Sequence, residues 1–227
     1  MEASEVLFTI PGIGLHVTAE VTTMWGIILV LVVLALIVRK NLRQEDPGKL
    51  QNAAEMAVEK LRSFFGNILG PERTDRFFGL FATLFIFIIC CNYSGLLPGA
   101  GTVWGFKAPT SSLSVTVGLA LVVFGATHVL GVRTHGLGGY GKHFLKPVAI
   151  MLPFLLLDEI VRPVSLSLRL FGNIYGEETV TEQLYELLPI GAPIIMMVLS
   201  LLFCAIQAVV FTMLAAIYIE GATGSGH

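Results

Sequence analysis

Hydrophobic residues along this chain gather into long blocks separated by short polar stretches. Thr22–Val38, Phe77–Leu97 and Leu113–Val132 each approach the ~20 apolar residues that a helix rising ~1.5 Å per residue needs to cross a ~30 Å hydrocarbon core. They read as membrane spans. Between the first two, Gln44–Gly66 places Leu50, Ala53, Ala54, Ala57, Val58, Leu61, Phe64 and Phe65 at helical spacing among Lys49, Glu55, Glu59, Lys60 and Arg62, the pattern of an amphipathic helix lying in the interface. The last two blocks differ from the rest. Val148–Tyr185 is interrupted by seven charges and Leu187–Ile219 by none, and either would be about 50 Å long as a helix, too long for an upright span. Strong tilt resolves the excess, with Pro189 and Pro193 at the turn between two helices that pack as a hairpin. The expected fold is therefore all-α and polytopic, with about five membrane helices and one interfacial helix. The chain is expected to form a single integral membrane domain over residues 1–227, in which 148–219 is the tilted hairpin.

Composition sharpens this picture. Hydrophobic residues make up 55% of the 227 and charged residues 13%, with mean hydropathy +0.80, whereas about a quarter of an ordinary soluble chain is charged. The net charge of −2 offers no basic face for nucleic acid. Glu2 and Glu5 stand where a cleavable signal peptide carries positive charge, so no such signal is expected. Loop charges orient the array. Arg39, Lys40 and Arg43 follow the first span and Arg133, Lys142 and Lys146 the third, while the loop after the second holds Lys107 alone, which puts the N-terminus outside and the C-terminus in the cytoplasm. No internal repeat points to the paired halves of a secondary transporter. Cys90, Cys91 and Cys204 lie in apolar runs and read as small buried hydrophobes.

Two motif matches lead nowhere. Gly136 through His143 satisfies both a dinucleotide-type and a phosphate-loop-type pattern, but a membrane span precedes it and His143 stands where a phosphate loop needs Ser or Thr, so a cytoplasmic loop is expected. His128, His135 and His143 are irregularly spaced and read as loop residues, with no metal site. The spans contain no convincing His-Glu cluster, serine–lysine pair or aspartate pair for an intramembrane enzyme.

Arg169 is the exception that carries chemistry. A permanent cation at membrane depth costs roughly 2.5–3.5 kcal/mol even on lenient insertion scales, so it marks a functional site by default. On a helix turning about 100° per residue, Arg162 (+20°), Ser165 (−40°), Gly172 (−60°), Asn173 (+40°) and Gly176 (−20°) share its face. Small residues there let a second helix approach closely. Glu178 lies about 180° away, placed to line a separate aqueous pocket, Glu177 about 80° away, and Ile174 about 140° away on the far side. Arg162, beside Pro163, reads as an interfacial anchor.

The run Arg162-Pro163-Val164-Ser165-Leu166-Ser167-Leu168-Arg169-Leu170-Phe171-Gly172-Asn173 resembles the signature of the a subunit of the rotary F-type ATP synthase, bacterial type. The resemblance extends through Asn92–Pro98, Ser114-Val115-Thr116, Gly136-Leu137-Gly138-Gly139 and Ile206-Gln207-Ala208 to Phe211. It implies a non-catalytic stator protein, without cofactor, in the cell inner (plasma) membrane. Two offset half-channels would carry H⁺ or Na⁺ to and from a carboxylate on a c-subunit ring. Further implied partners are the b-subunit peripheral stalk, the remainder of the F1Fo complex and the lipid bilayer. Arg169 matches the family's essential arginine, which would favour the ionised ring carboxylate and block direct passage of cations between the half-channels. Glu178 and Asn173 match polar positions of the external half-channel, and Gln207 a glutamine facing the arginine; Ser165, Gly172 and Gly176 would face the rotor. Ser200 departs from the pattern, since some relatives hold a histidine there that works with the glutamate, and a serine cannot titrate near neutrality. Ser112 likewise replaces an acidic residue of some relatives. The competing reading is a self-contained secondary ion transporter, which would bind its substrate within its own bundle and move ions unaided.

Overall fold

A computed structural model describes residues 6–9, 16–42, 48–97, 100, 105–145, 152–187 and 191–224. The apolar blocks appear in it as helices α1 (Ala19–Lys40), α2 (Lys49–Leu69), α3 (Pro71–Ser94), α4 (Leu113–Leu145), α5 (Leu152–Leu187) and α6 (Ala192–Thr223). The all-α polytopic expectation holds: α1 and long stretches of α3, α4 and α6 are long and apolar enough to cross a membrane. An antiparallel pair of short strands, β1 (Val6–Thr9) and β2 (His16–Thr18), precedes α1 and was not foreseen. Such short strands carry too few alternating positions to stand out from an apolar sequence.

Local chemistry explains where the helices differ from the sequence blocks. Gly70 alone separates α2 from α3; its φ of 88° is one that L side chains rarely adopt, and Pro71 then opens α3 at a position where a missing N–H costs nothing. Hence α3 starts six residues before the apolar block does. Gly136, at φ 70°, breaks α4, yet the chain resumes helical geometry as far as Leu145. The expected loop over Gly136–His143 is therefore helical, and His128 lies well inside α4. Pro189 falls outside the described residues.

With 36 and 32 residues, α5 and α6 would be about 54 and 48 Å long. They pack against each other and against α3 and α4. The shared core comprises Leu84 and Ile88 from α3, Ala120 and Val123 from α4, Leu166, Leu170 and Ile174 from α5, and Cys204, Ala208, Phe211 and Ala215 from α6. Small residues on α6 let the helix backbones approach closely where α5 presents Leu and Ile. A second cluster ties the interfacial helix down: Phe65 of α2 is fully buried against Phe81, Ala216 and Ile219.

Candidate functional site

Helix α5 displays its arginine by burying one side and leaving the other open. Leu166, Leu170 and Ile174, four residues apart, are each at most 4% exposed in the core. Arg169, about 100° round the helix from Leu170, is exposed, and among the described residues it forms neither an ion pair nor a hydrogen bond. Its flanking small residues lie on the same open side. Ser165 is half-buried, Gly172 exposed and Gly176 half-buried, and a methyl group added at either glycine would meet nothing within 4 Å. The fold of this chain does not itself demand glycine there. Ile174, on the far side from Arg169, is a core residue, because the stripe of α5 that carries Leu166, Leu170 and Ile174 faces residues of α3, α4 and α6.

Four residues after Arg169, Asn173 donates from Nδ2 to Oε1 of Gln207 on α6. Gln207 is 2% exposed, and its Nε2 has no partner among the described residues. The bond fixes the glutamine carbonyl and leaves a buried amide donor directed elsewhere. The resemblance implies that Gln207 faces the arginine; its side-chain hydrogen bond in this chain is to Asn173.

The other side of α5 opens on a cavity of about 290 Å³, well above the ~10–15 Å³ that one water requires. Asn92, Lys107, Glu177, Glu178, Glu182 and Ser200 contribute to its walls. Ser111, whose hydroxyl donates to the Ala108 carbonyl at 2.9 Å, and the Lys107 ammonium both lie close to the Glu178 carboxylate. The Cys204 Sγ donates to Glu177 Oε2 at 3.9 Å, and Ser200 lies beside the same carboxylate. Asn92, 1% exposed, donates from Nδ2 to the Cys204 carbonyl at 3.2 Å, and its buried Oδ1 has no partner among the described residues. A Cβ at Gly95 would lie 2.9 Å from the Ala108 Cβ, so only glycine lets the end of α3 close on the strand of chain beside Glu178. Ser112 bonds Ser114 at 2.8 Å, away from these groups.

Glu182 had a sequence signal, since it follows Glu178 by one turn. Lys107 and Ser111 had none, because tertiary folding of the segment before α4 brings them in.

A second polar group lies on α5 in the other direction from Arg169. The Arg162 guanidinium donates to Asp158 Oδ2 at 2.6 Å, reaches Glu159 Oε2 at 3.5 Å, and sits 5.4 Å above the Tyr218 ring of α6. His128 Nε2 is 3.3 Å from Glu159 Oε1. Arg162 is thus held by carboxylates of its own helix, and His128, expected in a loop, is half-buried between helices.

The geometry agrees with what similar sequences are named. The family described as ATP synthase A chain matches residues 21–220. An ATP synthase subunit a 1 of Syntrophotalea carbinolica is 44% identical over 212 residues, spanning 92% of this chain and 87% of that protein. An ATP synthase subunit a of Trichlorobacter lovleyi is 40% identical over 207 residues, 89% of this chain and 86% of its own length. An ATP synthase subunit a 2 of Pelobacter propionicus is 36% identical over 225 residues, 99% and 94% of the two chains.

Proposed function

Because the chain belongs to the ATP synthase A chain family, we propose that it is the non-catalytic membrane stator of a rotary F-type ATP synthase, coupling H⁺ or Na⁺ flow to rotation of a c-subunit ring. The observation that carries this reading is Arg169 on an open face of α5, unpaired among the described residues and flanked by glycines that internal packing does not require. A self-contained transporter would instead bury its cation among its own helices.

In this reading the cavity at Glu177 and Glu178 is the external half-channel. An ion enters among the carboxylates, and Ser111, Ser200 and water carry it toward the ring. Asn173 and Gln207 hold the passage beside the arginine. When a ring carboxylate arrives at Arg169, the fixed positive charge favours its ionised form, which makes it release its ion on one side before taking another from the other. The same charge repels a cation attempting a direct crossing. Each ion must travel with the ring, and the membrane potential supplies ~2.3 kcal/mol per charge per 100 mV to that motion. The b-subunit stalk would hold the stator against the resulting torque.

Cross-linking tests the orientation. In a background lacking Cys90, Cys91 and Cys204, cysteines placed at Ser165 and Gly172 should form disulfides with a cysteine on the outer ring helix, and one at Leu170 should not. Cross-linking from Leu170 alone would contradict the reading. Purified chain in vesicles should move no ions by itself; flux from the chain alone would favour the transporter alternative.

A further inference from the structure

The hydrogen bonding of His128 has a chemical consequence. Its Nδ1 is 2.9 Å from the carbonyl oxygen of Phe124, one turn back on α4. A carbonyl accepts and never donates, so this contact requires Nδ1–H. In the neutral imidazole the other nitrogen, Nε2, then carries a lone pair, and Nε2 is the atom 3.3 Å from Glu159 Oε1. Two acceptors do not face each other at that distance without a proton between them.

The surrounding charges leave room for one such proton. On α5, Asp158 is bound to Arg162 at 2.6 Å, and Arg162 reaches the second oxygen of Glu159 at 3.5 Å. Asp158 and Arg162 offset one another, so that among these contacts Glu159 faces the imidazole as its remaining cationic partner. From α6, Tyr218 presents its ring to Arg162, and on α3 Arg76 bonds Thr134, well along α4 from the pair. A cavity of about 10 Å³, near the size of a single water, is lined by Glu159, Arg162, Thr127 and Tyr218. Glu159 precedes Arg169 by about 15 Å of helix, and the Glu177/Glu178 cavity follows it by a similar distance.

We propose that His128 and Glu159 hold one exchangeable proton between Nε2 and Oε1 and pass it along the ion path on the side of Arg169 opposite the Glu178 cavity. Transfer breaks the Nε2–H bond as the Oε1–H bond forms, Nδ1–H stays on the Phe124 carbonyl, and the proton leaves Glu159 for water, restoring the carboxylate. Its place in the ion path rests on the proposed function; the shared proton does not.

The experiment has two arms. Full-length chain with ¹⁵N-labelled histidine in lipid nanodiscs should show, for the signal that His128→Gln removes, either both ring nitrogens protonated or Nδ1–H accompanied by an infrared carboxylic-acid band that Glu159→Gln abolishes. A neutral ring with its proton on Nε2 and no such band would overturn the shared proton. In vesicles containing the assembled complex, His128→Gln should slow ATP-driven proton pumping about tenfold or more, as expected for loss of a proton-transferring group. If Glu178→Gln slows pumping while His128→Gln and Glu159→Gln match wild type, the relay is wrong and the proposed function stands. Should Glu159→Gln fail to assemble, the wild-type spectrum and His128→Gln still decide both arms.

Discussion

Enlarging Gly176 tests the rotor-facing surface quantitatively. The residue is about 20° from Arg169 on the helical wheel, and a methyl group there would meet nothing of this chain within 4 Å, so Gly176→Leu should leave the fold intact. It should instead hold off a helix docking on that face by ~2–3 Å. Two unit charges ~4 Å apart at an effective dielectric of ~20 interact by about 4 kcal/mol, and at ~6.5 Å by about 2.5. The loss of roughly 1.5 kcal/mol corresponds to about tenfold in occupancy of the paired state. Val164, 48% exposed and about 140° from the arginine on the helical wheel, is the control, with Val164→Phe expected to pump close to normally. ATP-driven pumping at matched subunit content is the assay. Normal pumping by Gly176→Leu together with failure of Val164→Phe would show that the rotor does not face the arginine stripe.

Other substitutions separate the remaining roles. Glu178→Gln should reduce ion flux in a graded way without uncoupling the ring; unchanged flux across the pH range would move the external role to Glu177. Asn173→Ala leaves the buried Gln207 Oε1 unpaired and should lower the thermal stability of the solubilised complex by ~1–3 kcal/mol, more than Gln207→Leu, which removes the buried amide altogether; the reverse order would refute that pairing. Ile174→Phe should cost about 1–3 kcal/mol by overpacking the core, visible as reduced subunit content in membranes, and normal content would place that side chain outside the core. Arg162→Ala should impair pumping less than Arg169→Ala, and equal loss would contradict their separate placement.

The helices were legible because apolar runs long enough for a bilayer admit few other structures, and the arginine stripe because a 3.6-residue repeat fixes which residues share a face. Even so, an angle on one helix does not say which side another helix covers. That is why the angle put Ile174 on the far side without showing that it is a core residue, and why nothing in the sequence brought Ser200 beside Glu177. Lys107 and Ser111 reach Glu178 from a connecting segment with no periodicity to extrapolate. His128 was hidden for a similar reason: its partner Glu159 lies on the next helix, and glycines after residue 135 made the region read as a loop.

In the proposed function the fixed charge of Arg169 couples the two halves of the ion path. Arg169→Ala in the assembled complex, measured by ATP-driven ion pumping in vesicles at wild-type subunit content, should abolish pumping, because the ring carboxylate loses its partner and the barrier between half-channels disappears. Near-normal pumping by that variant would contradict the account.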